Sequence, residues 1–528
     1  MSGTGSIYAP NGLPARQHLA FGELRGYVSG DLSGANQNFR PRRSSADADI
    51  KRGMRVVIDR CRDQAINNPS IRGAIRRIVN NAVRDGIGPQ FLFRNRQGKL
   101  NSAVNKKWAA LFSRWATYAG LNRRQSLWFI QRLGLTQMWS DGEFYIHRSY
   151  DTRIPGIPPL RLELIERDLL DLSVDGELSN GNIARQGKEL DARTGEFVAY
   201  HFLDFHPGDY QFSFGKKGSR RILAEDIIDV HDAERISQTM GISWLSAMVM
   251  ESFDLEDYRA YERIGAKLAA AFGVFVKNNN PAAVNSLSGI GAAPGTSLDG
   301  EWPVNWGKGM PDYIEPGRIQ ALPWNTDIVI ASHNRPGTQY EPYVKESRRT
   351  QSTGFGMSYE AFANDYTDAS YSSARSGSLE ERLSYQGMQF FLSERMLDQI
   401  VRWFIESAWV SGVAPHRMDD FAVNPHPHLE SFVQLNPGWQ WVDPRSDSQA
   451  SSQKITEALS SRQREMLPQG TNFNDVIEEL IDEEAKLTPL YELRAKNAQL
   501  LTGAQAADPA QAEKLTDTAQ AQTSEENK

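Results

Sequence analysis

The stretch DASYSSARSGSLEERL, residues 368–383, joins a polar segment to the longest helical pattern in the chain. The run FANDYTDA, residues 362–369, overlaps the start of this stretch and shows no apolar period. After it, apolar residues recur at the spacings of one helix face, at Leu379, Leu383, Phe390, Leu397, Val401, Phe404 and Ala408. Asp368 or Ser370 can cap this helix, and Ser378 and Glu381 offer an alternative capping box one turn further along. The sequence therefore predicts a flexible polar segment attached to a helix that ends near residue 410.

Helical and strand patterns alternate along the rest of the chain. Helical periodicity occurs at 46–67, 69–83, 101–119, 124–140, 242–272 and 340–357. Runs of β-branched and aromatic residues separated by turn formers predict strands from Gly142 to about residue 235, and again at 273–277 and 327–332. This combination predicts an α+β fold.

Length and composition are those of an ordinary globular protein. The chain has 528 residues, of which 40% are hydrophobic and 23% charged. No apolar run approaches the roughly 18 residues of a membrane span, so no membrane association is expected. Cys61 is the single cysteine, which excludes an intrachain disulfide and fits a reducing compartment. We therefore expect a soluble intracellular protein with several structural units.

Charge is distributed unevenly along the chain. The net charge is −6, so the whole protein is not a basic nucleic-acid binder. Twelve Lys/Arg against four Asp lie between Arg40 and Arg84, whereas the segment from Asp475 to the end has twelve Asp/Glu against five Lys/Arg. Such asymmetry indicates surfaces with different partners, although solvated helix faces explain charge runs more often.

Motifs for catalysis are weak. None of the Gly-Lys pairs is followed by Ser or Thr, and the first glycine of a phosphate-binding loop is missing at each of them. His416, His426 and His428 could hold a metal, but the prolines around His426 favour an extended surface segment. Five acidic residues are candidates for nuclease carboxylates, namely Asp141, Glu143, Glu163, Glu166 and Asp168. None of these is followed two residues later by Lys, and acids at the edges of turns explain them better. The sequence predicts no catalytic residue, no cofactor and no metal.

Several local sequences in order resemble the lambda-like family of bacteriophage portal proteins. The similarity covers about residues 46–490. The segments that carry it are NNPSIRGAIRRIVNNAVRDGIGP, WSDGEFYIH, LELIERDLLD, VAYHFLDFHPGD, LAEDIIDVHDAERISQTMGISWL, FDLEDYRAYERIGAKLAA, EPGRIQALPWN, YSSARSGSLEER and PGWQWVDP. No single segment is diagnostic, whereas eight or more in the family's order are hard to obtain by chance.

The resemblance implies a portal-type subunit, with an α/β wing, a helical stem, a small β-containing clip and a helical crown. The implied parts are a flexible N-terminal arm (1–45), the wing (46–241), a first stem helix (242–272), the clip (273–339) with a flexible insert (278–312), a second stem helix (340–357), a tunnel loop (358–373), a long helix that returns to the wing (374–445), the crown (446–500) and a disordered tail (501–528).

The same resemblance implies function. Portal proteins form rings, usually of twelve subunits, at one capsid vertex, and double-stranded DNA passes through the ring without sequence-specific binding. Implied partners are terminase, the major capsid and scaffold proteins, and head-completion or tail proteins. The implied location is the virion, with assembly in the host cytoplasm. Two alternatives stay open: a non-ring virion structural or scaffold-type protein, and a DNA-processing enzyme.

The resemblance also selects candidate contact residues. Candidates for the DNA channel are three cations on the predicted stem and seven polar residues after it, namely Lys345, Arg348, Arg349, Asn364, Asp365, Tyr366, Thr367, Asp368, Ser370 and Tyr371. Candidates for partner contacts on the clip are Tyr313, Glu315, Arg318 and Trp324. Because a channel must let the duplex slide, we expect its grip on phosphates to be weak. Salt bridges between subunits are an equally good explanation of the three cations.

Overall fold

A computed structural model describes most of the chain. The described residues are 43–95, 97–209, 218–271, 274–278, 326–330, 337–441, 443–466, 469–471 and 473–505. The predicted clip residues Tyr313, Glu315, Arg318 and Trp324 lie outside them, as do the insert after residue 278 and nearly all of the predicted arm and tail.

Helices and strands alternate in the first half, and helices dominate the second half. The helices are α1 (Ala46–Asn67), α2 (Pro69–Val83), α3 (Ser102–Ala116), α4 (Leu127–Ser140), α5 (Val249–Ala271), α6 (Tyr340–Phe355), α7 (Tyr359–Ala363), α8 (Tyr371–Leu392), α9 (Asp398–Val410), α10 (His426–Leu429), α11 (Pro444–Thr456), α12 (Arg462–Met466) and α13 (Phe473–Gln505). The strands are β1 (Gly88–Phe91), β2 (Glu143–Tyr150), β3 (Leu160–Glu166), β4 (Gly176–Glu177), β5 (Ile183–Arg185), β6 (Lys188–Leu190), β7 (Phe197–Leu203), β8 (Ser219–Leu223), β9 (Ile227–His231), β10 (Val274–Asn278), β11 (Thr326–Ile330) and β12 (Phe432–Leu435). The fold is α+β, as the sequence predicts.

Two antiparallel sheets form the centre of the strand region. The three-stranded sheet has the order β3-β2-β9, and Ile146 of β2 lies opposite Leu164 on one side and Ile228 on the other. The five-stranded sheet follows chain order from β4 to β8. Two further antiparallel pairs join segments distant in sequence, β1 with β12 and β10 with β11.

A close backbone contact brings the start of β2 against the segment that follows β9. Gly142 has φ +77°, and a Cβ added there would lie 2.1 Å from the backbone carbon of Ile242. A Cβ on Gly241 would lie 2.1 Å from the carbonyl oxygen of Gly142. Both positions therefore require glycine. Gly142 needs it for its positive φ and for lack of space, and Gly241 needs it for lack of space alone.

The hydrophobic core contains an aromatic cluster between β1, α3 and α9. Phe404 of α9 lies with its ring centroid 5.0 Å from Phe112 and 5.1 Å from Trp115. Trp108 stacks on Phe93 at 5.1 Å and donates its indole N–H to Nδ1 of His416 at 2.9 Å. Such aromatic pairs contribute beyond simple area burial, so this cluster fixes α9 to the first half of the chain.

The chain divides into two compact units, one comprising 1–54 and 233–240 and the other the rest. In the described part of the smaller unit, the Asp47 carboxylate accepts hydrogen bonds from the backbone N–H and the hydroxyl of Thr239, at 2.9 and 3.0 Å. Arg235 lies 3.7 Å from Asp49. The larger unit contains both sheets and the aromatic cluster.

Several element boundaries differ from the predicted ones. The predicted helix at 242–272 begins only at Val249, because Ser243 and Trp244 bond to the end of α4: the Ser243 hydroxyl donates to the Trp139 carbonyl at 2.7 Å. The predicted helix at 340–357 ends at Phe355, where Gly356 adopts the left-handed conformation of a C-cap. The long helix after the polar segment is confirmed: α8 continues through a π-helical turn, Ser393–Leu397, into α9.

Among the described residues, no helix is both long enough and apolar enough to span a bilayer.

The aromatic cluster generates a stability prediction. Replacing the fully buried Phe404 with Ala should lower the free energy of unfolding by about 3–5 kcal/mol, because the cavity left among Phe112, Trp115 and Trp108 cannot close. Phe129→Ala, at an exposed position of α4, is the matched control and should change it by about 0.5 kcal/mol or less. Urea unfolding followed by tryptophan fluorescence measures both, and equal losses would contradict the assignment of the core.

Candidate functional site

The polar segment predicted as a flexible loop at 358–373 is half helical, since it contains α7 and the first residues of α8, and this corrects the prediction. Ser358 caps α7 by accepting the backbone N–H of Ala361, and its own hydroxyl donates to Glu381 of α8 at 2.5 Å. Phe362 on α7 is buried. The connection between α7 and α8 is therefore only residues 364–370. A single buried aromatic side chain in a short helix gives no repeating apolar pattern, which explains the error.

Both ends of this connection are capped. Asn364 adopts a left-handed conformation, φ 56°, as the C-cap of α7. Ser370 is the N-cap of α8 and forms a reciprocal capping box with Ser373. Of the caps that the sequence offered, Ser370 is the one used, whereas Ser378 and Glu381 lie inside the helix.

Asp365 organises the interior of the connection. Its carboxylate accepts the Tyr359 hydroxyl at 3.0 Å, the Thr367 hydroxyl at 2.6 Å and the Thr367 backbone N–H at 3.2 Å. The hydrogen bonds from Thr367 and then from Tyr359 hold the pKa of the Asp365 carboxyl below its ordinary value of 3.8. The carboxylate form therefore orders this turn.

The predicted stem cations lie against this connection. Lys345 Nζ is 2.5 Å from Asp368 Oδ2, and this contact raises the pKa of the Lys345 ammonium group. Lys345 and Arg349 both approach the ring of Tyr359, at 5.7 and 5.5 Å from its centroid. Arg349 also lies 3.7 Å from Glu346 of its own helix. The structure thus brings Lys345, Arg349, Asp365 and Asp368 together around Tyr359.

The remaining predicted channel residues fall into two groups. Exposed positions are Asn364, Tyr366, Thr367, Asp368, Ser370 and Tyr371. Arg348 is half-buried on α6. The exposed residues present hydroxyl, amide and carboxylate groups from one short segment. A surface of this composition can contact a polyanion without binding it tightly.

Helix α2 supplies cations that the sequence reasoning did not place at this site. Arg77 donates to Asn364 Oδ1 at 3.5 Å, and Arg72 and Arg76 are exposed on the same helix. The helix carries these three arginines and no acidic residue. The excess of basic residues between Arg40 and Arg84 was visible in the sequence, but its nearness to residues 364–370 is created by the packing of α2 on α7 and α8.

A second cluster of charged groups lies between the two sheets, and its Lys188 and Glu143 are fully buried. Lys188 of β6 lies between Glu143 of β2 and Asp229 of β9, with its Nζ 2.7 Å from Asp229 Oδ2 and in contact with Glu143 Oε1. The Tyr145 hydroxyl donates to Glu143 at 2.6 Å, and the Tyr200 hydroxyl donates to Asp229 at 3.1 Å. Every charged group in this cluster therefore has an opposite charge and additional hydrogen bonds.

Opposite charges outweigh burial in this cluster. Burial alone would lower the pKa of the Lys188 ammonium group, but Asp229 and Glu143 raise it. Burial alone would likewise raise the pKa of the Asp229 carboxyl, but Lys188 and His231 hold it well below its usual range. The cluster is therefore an ammonium group held between two carboxylates.

Asp141 and Glu143 border the turn between α4 and β2, as predicted for turn-edge acids, but both are fully buried rather than solvated. Glu143 pairs with Lys188, and Asp141 accepts two hydrogen bonds from Arg62, at 2.7 and 2.8 Å. The carboxylate-plus-lysine arrangement that the sequence seemed to lack is thus created by the fold. Its Lys188 and Glu143 have no exposed surface through which to contact a nucleic acid.

Metal-compatible groupings occur at two places in the described residues, and a cation of the protein already occupies each. Lys188 contacts the group Glu143, Asp229 and His231. Arg62 lies 2.5 Å from Asp168 in the group Glu166, Asp168 and His206. Two of the three histidines singled out from the sequence have other partners: His416 accepts from Trp108, and His428 lies 2.8 Å from Asp420. His426 is exposed.

Comparison with known proteins identifies the family. The model of the phage portal protein, lambda family, matches residues 33–389. The chain belongs to the lambda family of phage portal proteins. A probable portal protein of Halomonas phage phiHAP-1 is 25% identical over 497 residues, which span 91% of this chain and 89% of that one. The portal protein is thus a structural component of a virion ring, and the similarity noted in its sequence is confirmed.

Solved structures similar to the portal protein come from gene transfer agent particles. The neck of an empty particle has a chain that is 12% identical, with a TM-score of 0.45, covering 84% of this chain and 99% of that chain. The neck of a native particle has a chain that is also 12% identical, with a TM-score of 0.44, covering 79% of this chain and 93% of that chain.

The hydrogen bonds of Asp365 generate a prediction for the connection between α7 and α8. Asp365→Ala should speed amide hydrogen exchange in residues 364–370, because Thr367 and Tyr359 lose their shared acceptor. Exchange in α9 should stay unchanged. The matched control is Asp85→Ala, an exposed acid after α2. Unchanged exchange at 364–370 would show that the carboxylate does not order this segment.

The buried Lys188 generates a prediction with a pH signature. Lys188→Met should lower the free energy of unfolding by about 3–5 kcal/mol at neutral pH, because two buried carboxylates lose their counter-ion. The exposed Lys99→Met is the control and should change it by about 0.5 kcal/mol or less.

The sign of the pH effect follows from linkage. In the wild type, the depressed pKa of Asp229 stabilises the fold above about pH 4, and this contribution is lost as the pH falls through the lowered folded value. Without Lys188 the folded-state pKa of the Asp229 carboxyl should rise instead. The loss caused by Lys188→Met should therefore be smaller at about pH 5 than at about pH 7. An equal loss at both pH values would contradict the ammonium–carboxylate assignment.

Proposed function

We propose that this portal protein forms a ring, of about twelve subunits as in its family, through which double-stranded DNA passes during packaging and ejection. The observation that carries the proposal is the exposed connection 364–370 between α7 and α8. The cations of α6 that lie next to it already have partners within the chain. Lys345 is bound to Asp368, and Arg349 is shared between Tyr359 and Glu346. Strong phosphate contacts release counterions and would hold the duplex still, whereas this surface allows it to slide.

The functional parts follow the family organisation. We assign the wing to 46–241, the stem to the regions of α5 and α6, the clip to 273–339 and the crown to the helices α11 to α13. The connection 364–370 replaces the longer tunnel loop predicted at 358–373. Terminase and head-completion or tail proteins would bind at the clip, and capsid and scaffold proteins would bind outside the channel. Assembly would take place in the host cytoplasm.

A conduit of this kind needs no catalytic activity of its own. The sequence and the candidate site support a non-catalytic role. The chain belongs to a family of portal proteins. The carboxylate–lysine cluster that most resembles nuclease chemistry has Lys188 and Glu143 fully buried, at 0% exposure. A terminase from elsewhere would therefore supply the energy for packaging.

Particles carrying Lys345→Ala, Arg348→Ala and Arg349→Ala together test the conduit. The variant should retain less packaged DNA, because the connection then presents Asp365 and Asp368 to the duplex without the neighbouring cations. DNA length per particle after osmotic shock, measured by gel electrophoresis, gives the readout. Ring formation, checked by electron microscopy, should be unchanged.

The control removes the same charge elsewhere. Lys99→Ala, Lys107→Ala and Arg114→Ala together neutralise exposed cations between β1 and the end of α3. Equal DNA retention in the wild type and the stem variant would contradict a role of this site in the channel. Equal losses in the two variants would assign the effect to total charge and would also count against the site.

A further inference from the structure

Strand β3 is an edge strand whose outer side is covered over only part of its length. In the three-stranded sheet its one neighbouring strand is β2. On the opposite side, the Leu162 backbone N–H donates to the Ala119 carbonyl at 2.8 Å, and the Leu162 carbonyl accepts the Leu121 N–H at 2.9 Å. Among the described residues, no other segment of backbone pairs with the outer side of β3 after Leu162.

Backbone groups of Leu164 and Glu166 are left open on this outer side. Successive residues of a paired strand direct their hydrogen-bonding groups to opposite edges, so Leu164 and Glu166 point outward as Leu162 does. Within the part of the chain that the structure describes, the N–H and the carbonyl of Leu164 and the N–H of Glu166 have no hydrogen-bond partner. Unpaired groups in a row on a strand edge are a template for another strand.

A cavity of about 450 Å³ lies along this open edge, and residues 162–166 of β3 all line it. Because successive side chains of a strand point to opposite faces, a cavity that touches five consecutive residues lies at the edge of the strand. The other walls come from the loop after α3 and from α4, through Leu121, Gln125 and Leu133. We call this cavity the β3 edge groove. Its volume is in the range of ligand-binding pockets.

The walls of the β3 edge groove are largely apolar. Three partly exposed leucines line it, namely Leu121, Leu133 and Leu164. The carboxylate of Glu163 also lines it but already has partners, since His147 lies 2.8 Å away and Arg220 lies 3.1 Å away. An apolar side chain entering the groove would therefore meet apolar surface and no unpaired charge in its middle.

Glu166 gives the groove an acidic end. Its side chain is 57% exposed, and His206 lies 3.6 Å from its carboxylate, which is an ion pair only when the imidazole is protonated. The neighbouring Asp168 already binds Arg62 at 2.5 Å. The carboxylate of Glu166 is therefore available to an incoming ammonium or guanidinium group.

We propose that the β3 edge groove binds an extended segment of another protein as an additional strand of the three-stranded sheet. The open groups of Leu164 and Glu166 match the donors and acceptors of a strand backbone. The leucine walls favour an apolar side chain at alternate positions of the segment, and Glu166 favours a lysine or arginine at its end. The inference concerns the single subunit and does not rest on the portal ring.

A second copy of β3 does not fit the groove. Symmetric antiparallel pairing about Leu164 would place Glu166 of one copy opposite Leu162 of the other, where the segment 119–121 already occupies the edge. Symmetric pairing about Glu166 would bring two like carboxylates together, which is destabilising. The occupant is therefore a different strand with a basic end.

A synthetic peptide tests the groove on the full-length chain. The probe alternates threonine and valine and carries a lysine at each end, so that it can bind in either strand direction. Fluorescence anisotropy should give saturable binding with a Kd below about 1 mM. Hydrogen exchange should slow at the Leu164 and Glu166 amides, whereas the amide of Leu162, already bonded, should change little.

Reversing the charge at Glu166 tests the basic end of the segment. Glu166→Lys should weaken binding of the lysine probe about fivefold and strengthen binding of the same peptide with glutamate ends by a similar factor. The matched control is Glu177→Lys, an exposed acid of β4 outside the groove, and it should change neither affinity. Circular dichroism confirms that both variants fold. Equal changes in the two variants, or no change in either, would overturn the assignment of the basic end.

Backbone methylation of the probe tests strand pairing itself. One version is N-methylated at the valine amides and another at the threonine amides, so only one version loses the donors that face β3. Their affinities should differ at least about tenfold. Equal affinities would show that no strand pairs with β3 and would overturn the proposal. Absence of saturable binding to the wild type, or unchanged exchange at Leu164 and Glu166 in the saturated complex, would overturn it as well.

Discussion

The ammonium group of Lys188, buried between Glu143 and Asp229, fixes the relation between the two sheets of the larger unit. Lys188 belongs to the five-stranded sheet, and both carboxylates belong to the three-stranded sheet. Moving either sheet would leave a buried charge without its partner, and that costs several kcal/mol. Apolar packing alone tolerates small displacements, so these ion pairs give the sheets one arrangement.

The helices depend on this arrangement because the chain passes directly from it into them. The Gly241 backbone N–H donates to Glu143 at 3.1 Å, and the Arg167 guanidinium donates to the Gly241 carbonyl at 2.8 Å. Ser243 then bonds to the end of α4, and α5 begins six residues later. At the other end of this region, Phe404 anchors α9 in the aromatic cluster. Helix α8 is continuous with α9, and its first residue, Tyr371, directly follows the connection 364–370. The candidate channel surface is therefore held at a fixed distance from the core.

Charge is used differently across the molecule. Between the two sheets, Lys188 is paired with Glu143 and Asp229 away from bulk water. At the connection between α7 and α8, Lys345 and Asp368 pair at the surface, where screening keeps each contact weak.

The sequence by itself determined the helices with strong periodicity, the α+β class and the family. Helix α1 spans Ala46–Asn67 and helix α2 spans Pro69–Val83, as predicted, and the long helix through Phe404 is confirmed. These features depend on neighbours three or four residues apart, so local spacing is sufficient to reveal them. Ser370 was also correctly included among the possible caps for the same reason.

Only the tertiary structure decided which distant residues meet. The pairing of β12 with β1, the place of Lys188 between Glu143 and Asp229, and the contact of Arg77 with Asn364 join residues tens to hundreds of positions apart. No local pattern encodes such contacts, because they arise when separate elements pack. The ordered connection after α7 belongs to the same class, since Glu381 and the burial of Phe362 hold it in place. Spacing along the chain specifies elements, whereas burial and charge pairing across the fold specify the site.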